Sequence, residues 1–387
     1  MSKPLWTIPP PPASKLARYR TLSPLAGVRV SPICLGGMSI GDKWHEIGLG
    51  AMDKENSFKL LDAYFDLGGN FIDTANSYQD GTSEEFIGEW AEKRGIRDQL
   101  VIATKYTMNY IRAQSDISHR VNYVGNHAKS LHVSFRDSLI KLRTSYVDIL
   151  YVHFWEYTTS VEEVMDALHT LVIQGKVLYL GITGAPAWVV VKANQYAKYH
   201  GKSPFVIYQG RWCVFDRSLE REIIPMARSE GLAIAPWGVL GAGKVRTDAE
   251  EERRRESGEK GSTLFSPNWE RTEEERKVCL VLEEIAKEVG VASITAVAIA
   301  YHLLKTPYVF PIIGGRRVEQ LRENLQALDI SLTPEQINRI ESTKPFEPDF
   351  AHRIFINSLV DPWTVTSAAH MDRVPHQQAI RPSSEAS

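Results

Sequence analysis

From Ser31 onward, short runs of consecutive apolar residues alternate with longer segments whose apolar residues recur every three or four positions. The runs ICLGG, NFIDTA, LVIATKY, VDILYVHF, VLYLGIT, FVIYQG, LAIAPWG and YVFPIIGG are apolar on nearly successive residues, as expected of strands covered on both faces. Between them, Leu131, Phe135, Leu139 and Leu142 share one helical face. Val161, Val164, Met165, Leu168, Leu171 and Val172 share another. Gly175, Gly201, Gly231 and Gly290 follow such segments where a helix C-terminus is expected. The pattern predicts eight βα units.

Eight such units can close into a (β/α)8 TIM barrel or lie open as a doubly wound sheet. An open nucleotide-binding sheet carries GxGxxG directly after its first strand. Here that strand runs into LGGMSIGDKW, and the later GVLGAGK has the wrong order, so the α/β barrel is expected. One connection breaks the compact rhythm: GKVRTDAEEERRRESGEKGSTLFSPNW is long and charged before a helix near Thr272. It predicts a solvated loop or a flap over the ligand face.

Composition narrows the class without choosing the function. The 387 residues are 43% hydrophobic and 24% charged with a formal net charge of -2, which argues against a nucleic-acid partner. Cys34, Cys213 and Cys279 are an odd, scattered set that suits a reducing, cytoplasmic setting and offers neither a disulfide framework nor zinc-ligand spacing, so no metal is expected. The N-terminus breaks into prolines before a signal-type apolar core could form, and no apolar run reaches the length of a membrane span. The expected organisation is an N-terminal proline-containing extension (1–27), a barrel domain (28–343) with a last short helix over Pro334 to Ser342, and a C-terminal loop and tail (344–387).

In a barrel, catalytic groups sit at the C-terminal ends of strands. The second run ends on Asp73 with Tyr78 in the following loop, the third on Lys105, the fourth on His153. Each alone has a packing explanation. Together, on neighbouring strands about 4.8 Å apart, they form one small arc in which a buried lysine has a carboxylate partner. A free tyrosine has a pKa of about 10, and an ammonium in contact lowers it. The expectation is a phenol tuned by Lys105 and Asp73, with His153 fixing or relaying to the substrate oxygen, which can protonate an alkoxide as it forms.

No side chain supplies a hydride, so carbonyl reduction at this arc needs a nicotinamide. Gln209 is placed for its carboxamide and Trp237 for its ring. The last run ends in IIGGRRVEQLRENL, where a helix N-terminus with Arg316 and Arg317 makes an anion site suited to a phosphate.

The stretches FIDTANSYQDGTSE, VIATKY, YVDILYVHFWE, LGITG, VIYQGRW, APWGVLGAGK and PIIGGRRVEQLRENL resemble the aldo-keto reductase superfamily, from about Val28 to Ala327. Two longer segments, NYVGNHAKSLHVSFRDSLIKLRTSYVDILYVH and RWCVFDRSLEREIIPMAR, are similar to its fungal aryl-alcohol dehydrogenase branch, norsolorinic acid reductase-like proteins of secondary metabolism included. The resemblance implies a (β/α)8 barrel that binds NADPH and reduces aldehydes or ketones reversibly. It casts Tyr78 as general acid and completes a tetrad with Asp73, Lys105 and His153. It places the cofactor on Thr183, Gln209, Trp237, Gly238, Leu240, Gly314, Arg316, Gln320, Glu323 and Asn324. The long loops expected to build the pocket put Trp44 and Tyr123 against the small-molecule carbonyl or alcohol substrate. Two departures stand out: Thr183 and Gly184 replace a Ser-Asn pair that takes the carboxamide elsewhere, and Gly314 and Gly315 replace a Lys-Ser pair at the 2'-phosphate.

Two rival functions share these residues. A redox-sensing regulatory protein could keep the barrel and its NADPH without turnover. A barrel hydrolase could pair Asp73 with Glu156, although Lys105 and Tyr78 would then lack a role.

Overall fold

The structure is a computed structural model in which residues 6, 9–45, 52–258, 268–348, 367–370, 372, 374 and 376–382 are described. All eight expected runs form strands: β3 (Cys34–Gly36), β4 (Phe71–Asp73), β5 (Val101–Tyr106), β6 (Val147–His153), β7 (Val177–Thr183), β8 (Phe205–Arg211), β9 (Ala233–Trp237) and β10 (Ile312–Ile313). An antiparallel hairpin that the hydrophobic pattern did not announce, β1 (Arg20–Ser23) and β2 (Ala26–Val30), precedes them.

The eight strands pair in parallel in the order β10-β3-β4-β5-β6-β7-β8-β9. The barrel closes where the Ile234 N–H donates to the Tyr308 carbonyl and the Phe310 N–H donates to the Ile234 carbonyl, both at 2.9 Å. Pro311 lacks an N–H and keeps the last strand short.

Helices wrap the strands: α1 (Lys54–Asp66), α2 (Thr82–Arg94), α3 (Ala128–Lys141), α4 (Val161–Ile173), α5 (Ala187–Tyr199), α6 (Ile223–Glu230), α7 (Asp248–Ser257), α8 (Glu273–Glu288), α9 (Ile294–Lys305), α10 (Val318–Leu325) and α11 (Pro334–Thr343). The apolar faces read on α3 and α4 point into the barrel–helix layer, where Leu131, Phe135, Val164, Met165 and Leu168 are buried.

Strand alternation sorts the core into two clusters. Ile72, Ile102, Leu150, Val152 and Ile234 face outward into the helix layer. Phe71, Val101, Ala103, Ile149, Tyr151, Ala233 and Ala235 face into the barrel, whose interior is completed by Leu22, Ala26 and Val30 of the hairpin. The same two-residue period turns Asp73, two positions after Phe71, into the barrel. It does likewise for Lys105 after Ala103 and His153 after Tyr151.

The charged connection after β9 departs from the expected loop, because it contains a helix. Thr247 caps α7 by accepting from the Glu250 N–H, acidic residues crowd its first turn, and Arg254 and Arg255 its last. Arg246, fully buried, donates to Glu251 at 2.8 Å and lies over the Trp269 ring, and Arg271 bridges Glu251 and Asp248 at 2.7 Å each. The charges that read as solvated surface therefore pair with one another and pin α7. Residues 259–267 of this connection and 349–366 of the expected tail lie outside the described residues.

Candidate active site

The mouth of the barrel brings the four expected polar groups together. The Lys105 ammonium, fully buried, donates to Asp73 Oδ2 at 2.6 Å, to the Thr74 carbonyl at 2.7 Å and to the Tyr78 hydroxyl at 3.3 Å. Three donors thus meet three acceptors, the condition under which a buried ammonium keeps its charge. Burial alone lowers the Lys105 pKa, but Asp73 and Tyr78 outweigh it and hold the value above the ordinary lysine range. Burial pushes Asp73 up against the pull of Lys105 and of Gln209. The contacts favour the ion pair, since both carboxylate oxygens accept a hydrogen bond.

The Tyr78 loop is threaded by backbone bonds that continue the β4 register. The Thr74 N–H donates to the Ala103 carbonyl at 2.8 Å and the Asn76 N–H to the Lys105 carbonyl at 3.1 Å. From outside the barrel, Lys141, paired with buried Glu84 at 2.7 Å, donates to the Asn76 carbonyl at 3.1 Å. Tyr78 then opens a tight turn whose next two residues, Gln79 and Asp80, have φ of 53° and 52°. Non-glycine residues adopt that region at a cost, so the turn is held by its surroundings.

The electrostatics correct one expectation. Taking the Tyr78 hydroxyl out of water raises its pKa more than Lys105 lowers it, so the phenol lies above, not below, its ordinary value. At neutral pH Tyr78 is a loaded acid, and Lys105 waits to stabilise the phenolate that forms once the proton leaves. His153 is nearly buried, and burial followed by repulsion from Lys105 drives its pKa well down. It is therefore a neutral imidazole. Its Nδ1 finds no hydrogen-bond partner among the described residues, and its ring meets Tyr78 edge-on at 6.1 Å.

Thr107 and Asn126, which carried no signal in the sequence, fix the end of β6. The Thr107 hydroxyl accepts from the His153 N–H at 3.2 Å, and Asn126 donates to Thr107 Oγ1 and to the Phe154 carbonyl at 3.0 Å each. Phe154 stacks on the His153 ring at 4.8 Å with 17° between planes. Burial would raise the Glu156 carboxyl, but the Thr158 and Thr159 hydroxyls, with the Thr158 and Asn126 N–H groups, donate to it and hold its pKa at about 2. A carboxylate so committed is no general acid, and with Asp73 locked to Lys105 the hydrolase reading has no acid–base pair.

The residues read as cofactor contacts fall on one side of the mouth. Thr183 and Gln209 are register partners at the ends of β7 and β8, and Trp237 ends β9, paired with Arg211. Gly238 and Leu240 follow it, partly buried. Gln209 does more than line the site, since its amide donates to Asp73 Oδ1 at 2.8 Å.

Beyond β10, Gly314, Gly315 and Arg316 lead into the N-terminus of α10, where Arg317 holds the N-cap position without a side-chain capping hydrogen bond. Neither arginine has an ion-pair partner among the described residues, and a side chain at Gly314 would meet nothing within 4 Å. The cradle is open and cationic, as a phosphate requires. The Gln320 Oε1 accepts from the Arg316 N–H at 3.2 Å and Glu323 is exposed. Asn324 is buried, with Oδ1 accepting from Thr295 at 3.0 Å, so that half of its amide serves packing.

On the opposite side, Trp44 meets Tyr78 edge-on at 6.2 Å, and Tyr123 tilts against Tyr110 at 6.1 Å. Among the described residues no group of three or more His, Cys, Asp or Glu could hold a metal ion, and no helix is long and apolar enough to cross a membrane.

The chain is similar in sequence to several known proteins. An aryl-alcohol dehydrogenase [NADP(+)] of Phanerodontia chrysosporium is 60% identical over 381 residues, 98% of this chain and 99% of that protein. A putative aryl-alcohol dehydrogenase of Saccharomyces cerevisiae is 54% identical over 88% of this chain and 90% of its own length. The norsolorinic acid reductase of Emericella nidulans is 48% identical over 96% of each. The family model described as aldo/keto reductase matches residues 32–344, and with the barrel and its strand-end tetrad this places the chain in the aldo/keto reductase family.

Proposed function

We propose that the chain catalyses the reversible, NADPH-dependent reduction of an aromatic aldehyde or ketone to its alcohol, with Tyr78 as the proton donor. One observation carries the reading: a protonated phenol lies 3.3 Å from a buried ammonium, at the rim of a barrel mouth walled by Trp44. Relatives named as aryl-alcohol dehydrogenases and as a reductase of norsolorinic acid support the aryl class; a role in secondary metabolism or aryl-aldehyde detoxification is part of the same proposal.

The residues present fit NADPH. Thr183, Gln209 and Trp237 would hold the nicotinamide end, and Arg316 at the start of α10 would take the 2'-phosphate, for which a guanidinium beside free helix N–H groups is the suited chemistry. Bound there, the cofactor would supply the hydride that the carbonyl carbon takes up. The chain's own part is the oxygen. Neutral His153 can donate a hydrogen bond to it and hold it beside the Tyr78 hydroxyl. Tyr78 gives up its proton as negative charge builds on that oxygen, and Lys105, kept charged by Asp73, stabilises the phenolate left behind. In the alcohol-oxidising direction the same phenolate takes the proton back. Three buried cysteines, none in a disulfide, fit a cytoplasmic setting.

The test is a panel of benzaldehydes and aryl ketones followed through NADPH absorbance, with NADH in parallel. NADPH oxidation by members of the panel supports the reading, and none by any member overturns it. Tyr78→Phe is expected to abolish nearly all turnover while NADPH binding stays close to wild type, and substantial residual turnover would move the proton donor elsewhere.

A further inference from the structure

The turn that carries Tyr78 also carries a buried amide with no part in proton transfer. Gln79 follows Tyr78 directly, is fully buried and holds the left-handed backbone described above. Its side chain runs away from the tetrad into the β3–α1 connection. There its Oε1 accepts from the N–H groups of Lys43 at 3.0 Å and Trp44 at 2.8 Å, and its Nε2 donates to the Met38 carbonyl at 2.9 Å. Gly41 leaves the space this needs, since a Cβ there would fall 2.5 Å from Gln79 Cβ. The next residue, Asp80, accepts two hydrogen bonds from Arg112, at 2.6 and 3.1 Å, and that guanidinium lies 5.5 Å from the Trp44 ring centre. Trp44 is thus gripped from two sides by the two residues after Tyr78, at its main chain by Gln79 and over its ring by the Asp80–Arg112 pair.

We propose that Gln79 is a positioning residue that sets the Trp44 indole beside the Tyr78 hydroxyl as one wall of an aryl-ring subsite, and so sets the preference for flat aromatic carbonyls over aliphatic ones. The inference rests on the reading of the chain as an aryl carbonyl reductase. A buried amide satisfied at both ends has one geometry, whereas an apolar isostere would strand two backbone N–H groups and free the segment they anchor. An aromatic wall contributes to binding a flat ring through face and edge contacts that a short alkyl chain does not make. Loosening the wall should therefore change discrimination between substrates more than the chemical step.

The experiment measures kcat and KM of the full chain with benzaldehyde and with butanal, for wild type, Gln79→Leu, Trp44→Ala and the double variant. Gln79→Leu should raise KM for benzaldehyde by about tenfold and for butanal by less than about twofold, with kcat little changed and NADPH affinity retained. In the Trp44→Ala background the same substitution should add almost nothing, because the wall it positions is gone. Equal losses with both aldehydes, or losses that simply add in the double variant, would overturn the proposal and leave Gln79 a packing residue. If Gln79→Leu does not fold, Gln79→Asn, one methylene too short to reach the Lys43 and Trp44 N–H groups from the same backbone, carries the same comparison under the same criteria. A wild type that reduces no aryl carbonyl overturns the parent reading. One that reduces benzaldehyde while the variants leave its ratio to butanal unchanged overturns this inference alone.

Discussion

Gln209 and Asp73 face each other across the barrel and are joined by a 2.8 Å hydrogen bond from amide to carboxylate. Their strands, β8 and β4, have three strands between them in either direction around the closed sheet, so the bond spans the floor of the site. Gln209 can therefore act on the proton donor through Asp73 and Lys105, besides any contact with the cofactor. Gln209→Leu removes a donor to a carboxylate that burial already pushes up, so Asp73 should protonate at higher pH. The acid limb of the kcat profile is expected to move upward. If NADPH affinity falls and the limb stays in place, Gln209 serves the cofactor alone.

Arg316 carries the expectation of NADPH preference. It is exposed at the N-terminus of α10 with no carboxylate in ion-pair range among the described residues, and the glycines before it offer no other cation. Arg316→Ala should weaken NADPH binding by about tenfold to a hundredfold and leave NADH binding nearly unchanged, as the loss of a phosphate-directed guanidinium requires. Titration of both cofactors by fluorescence checks it. A parallel fall for NADH would mean that the residue supports the loop rather than the phosphate.

The barrel and the tetrad were legible because both are written in local pattern. Apolar runs set the strands, and the period of two carried Asp73, Lys105 and His153 to one interior face. What escaped reading depends on contacts distant in sequence. The hairpin β1–β2 is defined by Leu22, Ala26 and Val30 plugging the barrel, which no local propensity reveals. Helix α7 looked like a solvated charge run because Arg246, Glu251, Asp248 and Arg271 find one another only in three dimensions. The Tyr78 shift runs opposite to the expected direction because the sequence displays the neighbouring lysine but not the loss of water.

Acid should destabilise the fold at a site remote from the chemistry. His302 of α9 is fully buried against Trp212, donates from Nδ1 to the Ala298 carbonyl, and burial lowers its pKa to about 4. Below the ordinary histidine value the unfolded chain binds a proton there that the folded chain refuses. Stability present at neutral pH is thus lost as pH falls from about 6.5 toward 4. His153, also depressed, acts in the same direction. Urea unfolding at pH 7 and pH 5 should show wild type losing about 2 kcal/mol more than His302→Leu over that interval. Equal losses would mean that His302 does not titrate in this window.

Gly184 stands where the resemblance led to expect a side chain for the carboxamide, and the packing gives the reason. Its φ is 61°, and a Cβ added there would fall 2.2 Å from Phe154 Cδ1, inside the ring that stacks on His153. The lost polar contact and the aromatic platform are thus one arrangement: the ring occupies the space that a larger residue would need. Phe154 itself has φ 72°, so its position is maintained against backbone preference. Gly184→Ala should cost about 2–3 kcal/mol, part from the left-handed backbone and part from the clash, and should lower kcat by displacing the platform from His153. Adding Phe154→Ala should restore the clash part of the stability and none of the kcat. Denaturant unfolding and steady-state rates on the two variants read these separately, and a Gly184→Ala protein as stable as wild type would show that the ring moves aside freely.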